Sequence, residues 1–135
     1  MMLFHMTTAQ WIENALANQI IEAAIEVHAV LGGPGLLETV YESALSHELS
    51  LRGIRSQRQL PIPVRYKNSE VRTPLFLDIL VENKLIIEVK ATSQDYPFYH
   101  AQLMTHLKLA KIPHGLLINF GKKELRDGLH YMINS

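Results

Sequence analysis

Hydrophobic positions Ile12, Leu16, Ile20, Ala23, Val27 and Leu31 recur at steps of three and four. They predict one face of a long helix that ends before Gly32. Thr7, Thr8 or Asn14 could cap its start. Gly32-Gly33-Pro34-Gly35 breaks the helix. A second helix is predicted over roughly Leu37–Leu51, with Val40, Tyr41, Ala44, Leu45 and Leu49 as its apolar stripe and Gly53 as its stop. The period then changes to two. Leu60, Ile62, Val64 and Tyr66 alternate with Gln59, Pro61, Pro63 and Arg65, and the prolines place this segment at a sheet edge. Lys67-Asn68-Ser69 is a turn signal. Pro74–Val81 and Leu85–Ala91 are apolar on both faces, so both are predicted as buried strands. Residues 97–111 suit a helix, with Leu103, Leu107 and Ala110 inward and Pro97 in its first turn. His114–Phe120 is a further buried strand, and Leu125–Ile133 is a weak last element, strand or helix. The order α-α-β-β-β-α-β predicts an α/β sandwich around a mixed sheet.

Composition narrows the chemistry. The 135 residues suit one domain, taken as 1–135. There is no cysteine, which excludes disulfides, thiol nucleophiles and zinc–thiolate sites. The apolar start, Met1–Met6, is too short for a membrane span or the apolar core of a signal peptide, so a soluble, cytoplasmic protein with no membrane partner is expected. The net charge is zero but unevenly placed. Residues 1–51 hold six Glu and no Lys or Arg, whereas all 13 basic residues follow, against seven acids. Arg52, Arg55, Arg58, Arg65, Lys67 and Arg72 form a strip opposed only by Glu70. Such a strip could run along phosphates. It could equally be a solvated sheet edge facing an acidic helical surface.

The second hairpin holds the unusual charges. Leu75–Val81 is apolar except for Asp78, and Leu85–Ala91 is apolar except for Glu88 and Lys90. Charge inside a central strand is costly unless paired or coordinated. A three-residue turn centred on Asn83 sets Asp78 directly opposite Glu88, with Lys90 on the same face as Glu88. Two facing carboxylates call for a cation, and Mg²⁺ accepts one or two carboxylates and keeps its waters. A two-residue turn at Asn83-Lys84 would instead set Asp78 opposite Val89 and on the other face. A structural ion pair of Lys90 with Glu88 or Asp78 is the alternative use of the same charges.

Asp78 followed by Glu88-Val89-Lys90 resembles the D…(D/E)-x-K signature of the PD-(D/E)XK nuclease superfamily. Gly35-Leu36-Leu37-Glu38-Thr39-Val40-Tyr41 is similar to the G-x-x-E-x-x-Y motif that names the GxxExxY family within it. Ile25–His28, Gln102-Leu103 and Gly115–Phe120 extend the resemblance over roughly residues 16 to 121. The resemblance implies a restriction-endonuclease-like α/β sandwich with a central mixed β-sheet flanked by helices. It implies Mg²⁺ or Mn²⁺ held by Asp78, Glu88, the Val89 carbonyl and, directly or through water, Glu38. It further implies that Lys90 orients the attacking water and that Gln102 contacts the site or substrate. Arg55, Arg58, Arg65 and Lys67 would then hold nucleic acid by its backbone. Each residue also has a plainer use: Glu38 favours a helix start, Gln102 could be a surface residue, and His28 and Tyr41 suit packing. His106 stands where related sequences often carry tyrosine. The resulting expectation is a metal-dependent phosphodiesterase acting on DNA or RNA. The alternatives are a catalytically silent module that binds nucleic acid or protein, and a homodimer whose acidic helices meet the basic strip of a partner, masking the site.

Overall fold

The computed structural model describes the backbone of residues 2–5 and the whole of residues 14–135. Helix α1 (Ala15–Val30) starts at an extended Asn14, whose side chain accepts the Ala17 N–H at 2.9 Å. That contact gives the cap to Asn14; Thr7, Thr8 and Ile12 lie outside the described residues. Helix α2 is Glu38–Leu51 and helix α3 is Pro97–Ala110, with Pro97 in its first turn as expected.

Six strands form the main sheet: β1 (Met2–His5), β2 (Ser56–Ile62), β5 (Leu75–Val81), β6 (Leu85–Lys90), β7 (His114–Asn119) and β8 (Leu129–Ile133), in the order β1-β8-β7-β6-β5-β2. Every neighbouring pair is antiparallel except β6–β7, which is parallel and joined through α3. A parallel pair needs such a crossover. Strands β3 (Arg65–Tyr66) and β4 (Ser69–Glu70) make a separate small hairpin.

Two layers cover this mixed sheet. Ile20, Ala24 and Val27 of α1, with Tyr41, Leu45 and Leu49 of α2, pack on Ile79, Val81, Ile87 and Val89. On the other face Leu103 and Leu107 of α3 pack on Leu80, Ile86 and Leu117. A Cβ placed on Gly115 would stand 3.1 Å from both leucines, so the bare backbone of β7 lets α3 approach closely.

The structure departs from expectation at three places. The predicted edge strand ends at Ile62 instead of continuing to Tyr66, because Pro63 cannot extend the ladder and Lys67-Asn68 (φ 50° and 69°) folds its tail into the β3–β4 hairpin. The last element is both of its alternatives, a 3₁₀ turn at Leu125–Gly128 followed by β8. Strand β1 was not predicted; its four residues form a strand through pairing with β8.

Tyr41 ties the first layer to the sheet. Its fully buried ring stacks on Phe120 at 4.7 Å between centroids and 9° between planes. Its hydroxyl donates to the Gly33 carbonyl at 2.7 Å and accepts the Leu36 N–H at 3.2 Å. The ring therefore closes the glycine loop that delivers Glu38. His28 does a related job: its Nε2–H donates to the Lys122 carbonyl at 2.9 Å. Tyr41→Phe strands two backbone groups while keeping the ring, so a loss of about 1–2 kcal/mol is expected in urea unfolding. Tyr41→Ala should lose about 3–5 kcal/mol. A Tyr41→Phe variant as stable as the parent would show that the hydroxyl contributes nothing.

Candidate metal centre

The turn between β5 and β6 has the three residues that the site requires. Glu82 and Asn83 take positive φ (51° and 56°), and Lys84 N–H bonds the Val81 carbonyl at 2.9 Å. The register runs Val81↔Leu85, Leu80↔Ile86, Ile79↔Ile87, which sets Asp78 against Glu88 as the next pair. There the ladder stops. Asp78 Oδ2 accepts the Val89 N–H at 2.8 Å, a donor that a continuing ladder would have given to β5 backbone. On its other side Asp78 faces Gln59, whose φ of 51° falls where the β2–β5 pairing skips a step between Arg58↔Ile79 and Leu60↔Leu77. Asp78 thus sits where β5 lets go of both neighbours.

Five side chains of the predicted site converge on this opening: Asp78, Glu88, Glu38, Lys90 and Gln102. Burial, with the adjacent Glu88 carboxylate next in weight, pushes Asp78 up to about 6. Glu38, from the first turn of α2, is also raised, chiefly by burial; Lys90 opposes that rise and Asp78 adds to it. Lys90 Nζ donates to Gln102 Oε1 at 3.1 Å and lies 4.6 Å from the centroid of the Tyr99 ring. Gln102 is therefore part of the cluster and not a free surface residue.

Val89 contributes backbone. Its N–H points toward β5, and Lys90 C=O, one residue on, bonds Phe120 N–H at 2.8 Å toward β7. The N–H and C=O of one strand residue share an edge, and successive residues alternate. The Val89 carbonyl consequently faces the Asp78 side.

The basic strip is differently placed. Arg55 pairs with Glu82 at 3.3 Å, Arg58 with the buried Glu42 at 3.2 Å, and Arg65 with Glu70 at 3.4 Å. Lys67 lies over its neighbour Tyr66. Arg52 bonds Glu48 at 2.7 Å. The acidic helical surface does face part of the strip, through Glu42 and Glu48 of α2. A groove of about 660 Å³ lined by Ser50, Arg55 and Glu82 contains none of the converging side chains.

Residues given no role from sequence also shape the centre. His106 Nδ1 meets Glu88 Oε1 at 2.5 Å, both buried, so one oxygen of Glu88 is held by α3 and the other is left toward Asp78. The departure from tyrosine at His106 was visible; its partner was not, because helix register against the sheet decides it. Asn119 Oδ1 accepts the Thr92 and Gly121 N–H groups at 3.0 and 2.9 Å, and its amide donates to Asp95 at 3.1 Å. Burial raises the Asp95 pKa, but the Asn119 amide and the Lys122 ammonium at 3.1 Å bring it below its ordinary value. Together they pin the connection from Lys90 to α3. A lone Asn in the run Leu116–Phe120 was the available signal.

Over residues 14–131 the sequence matches the family model described as the PD-(D/E)XK nuclease superfamily. The chain belongs to that superfamily. No curated protein and no solved structure matches it. The mixed sheet between helical layers is the restriction-endonuclease-like fold of PD-(D/E)XK proteins. Nucleases of this superfamily generally use divalent metal ions. Among the described residues no three of His, Asp and Glu gather so as to hold a metal by themselves. The fit rests instead on two carboxylates, one backbone carbonyl and water. That all-oxygen set suits a hard cation that keeps several waters. Among the described residues no helix is long and apolar enough to cross a membrane.

The raised Asp78 gives a pH signature. As pH rises, the unfolded chain releases this proton near 3.8 and the folded one near 6, so the native state loses about 3 kcal/mol across that window and does not regain it above. In EDTA at pH 7.5, Asp78→Asn should therefore have a higher urea midpoint than the parent, and the difference should vanish near pH 4. Equal midpoints at pH 7.5 would remove the case for a strained carboxyl. His106 gives a second test by calorimetric Mn²⁺ titration. His106→Leu, which frees Glu88 from α3, should weaken binding about 10- to 100-fold, and His106→Asn, which can keep a donor near the Nδ1 position, should weaken it less.

Proposed function

We propose that this chain is an Mg²⁺- or Mn²⁺-dependent nuclease of the GxxExxY family, hydrolysing phosphodiester bonds in nucleic acid. The observation that carries the reading is the pairing of Asp78 with Glu88 at a break in the sheet, with the Lys90 ammonium beside them. Asp78, Glu88 and the Val89 carbonyl would hold the metal, with Glu38 acting directly or through water. The bound ion would lower the pKa of a coordinated water and offset charge on the phosphoryl oxygens.

The protein's own groups do the rest. Lys90 is kept in place by Gln102 and Tyr99, so its ammonium points at the opening and can orient the attacking water and stabilise the developing charge. Glu38 comes from α2, which packs on the opposite face of the sheet from α3, and shares the field of the same ammonium. Arg55, Arg58, Arg65 and Lys67 would hold the phosphate backbone without reading sequence, each by giving up or sharing its present partner.

A cleavage assay on linear, nicked and single-stranded DNA and on RNA, with Mg²⁺, Mn²⁺ or EDTA, tests this. Metal-dependent cutting is expected, with Asp78→Ala and Lys90→Ala each reducing the rate at least 100-fold, on the scale of losing one stabilising group at a reacting centre. Cutting that survives both substitutions would overturn the assignment. Binding without cutting on every substrate would favour a catalytically silent module on the same fold.

A further inference from the structure

Three aromatic residues fall within four positions at the start of α3: Tyr96, Phe98 and Tyr99. Tyr96 is 45% exposed and Phe98 67% exposed. Tyr99 is half-buried and joins them to the centre. Its face carries the Lys90 ammonium at 4.6 Å, and its edge meets Tyr96 with 5.3 Å between centroids and 83° between planes. Phe98 lies one helical turn before Gln102, the residue that holds Lys90, so the two side chains are neighbours on the helix surface. An aromatic shelf therefore leads from solvent up to the lysine of the candidate centre.

We propose that this shelf binds unpaired nucleobases, so that the substrate is single-stranded nucleic acid or a splayed end. The proposal rests on the nuclease reading for its location, since Lys90 marks where the phosphate would lie. Two observations favour stacking over a purely electrostatic grip. The arginines of the basic strip are engaged: Arg52, Arg55, Arg58 and Arg65 each meet a glutamate. The chain as a whole carries no net charge. Duplex binders that contact only the backbone depend on uncompensated Lys and Arg. Single-strand binders combine a modest positive track with exposed rings, because every base presents a π-face. Lys90 on Tyr99 supplies a cation and a ring in one place. A base stacked on Tyr96 would lie beside Tyr99, whose face carries the Lys90 ammonium, whereas a base inside a duplex is already stacked and cannot reach the shelf.

The test is equilibrium binding by fluorescence anisotropy, with Mn²⁺ present, in an Asp78→Asn background that suppresses cutting and keeps Lys90 on Tyr99. The probes are a labelled oligothymidylate and a blunt duplex of equal length. Single strand should bind at least tenfold more tightly than duplex. Phe98→Ala and Tyr96→Ala should each weaken single-strand binding about tenfold, leave duplex binding unchanged and leave the circular dichroism spectrum intact. Phe98→Tyr should restore single-strand binding. Equal affinity for the two probes, or ring removal without effect on the single strand, overturns the proposal. So does a self-associating chain that becomes monomeric in Phe98→Ala with oligonucleotide binding unaltered, which would give the rings to a second copy. The two readings fail separately. Ring-dependent binding by a chain that cuts nothing defeats the nuclease and keeps the shelf; metal-dependent cutting indifferent to the rings does the reverse.

Discussion

The hydrogen bond from Val89 N–H to the Asp78 carboxylate determines how the rest of the centre is arranged. A strand pair normally spends every inward N–H on its partner's backbone. Here one of them is spent on a side chain, and the β5–β6 ladder ends at that point. The gap is where the two carboxylates, the lysine and the Val89 carbonyl meet. The same bond steadies Asp78 in a setting where burial and Glu88 both oppose its charge. Without it the two strands could zip on, Asp78 would be pressed against Glu88, and no room would remain for a cation and its waters.

The charged members of the cluster are then held from both helical layers. Glu88 is gripped from α3 through His106, Lys90 from α3 through Gln102 and Tyr99, and Glu38 is supplied by the first turn of α2. The sheet alone would supply two repelling acids. The helices supply the donors that make the arrangement tolerable, and the loop latch at Asn119, Asp95 and Lys122 fixes the distance between β6 and α3. Buried polar groups left half-satisfied would cost more than an apolar core. The large number of contacts around so few charges follows from that.

Much of this was legible in the sequence because apolar runs expose their exceptions. Asp78, Glu88 and Lys90 stood out in strands that were otherwise apolar on both faces; the face Asp78 takes hung on a turn length the sequence left open, which the three-residue Glu82–Lys84 turn decides. Tyr41 and His28, which the residues themselves marked as packing groups, do pack. What stayed hidden depends on tertiary placement. The bond between His106 and Glu88 needs the register of α3 on the sheet. The glutamates that meet Arg55, Arg58 and Arg65 lie up to 27 residues away along the chain, and no periodicity announces them. Strand β1 exists because β8 offers it an edge, and four residues carry too little pattern to show it.

The raised Asp78 also bears on how such a chain would change over generations. Most random substitutions destabilise a fold, and those that relieve strain are rare and favoured when nothing opposes them. Replacing an acid at this break with an amide or an aliphatic residue would be one of the rare kind. A lineage with no use for the centre would thus drift downhill in free energy toward losing it, with no barrier from the fold itself. Asp78 and Glu38 stand against that slope. Burial works against the charge of Asp78 and Glu38, so the fold gains nothing from keeping these two acids ionised.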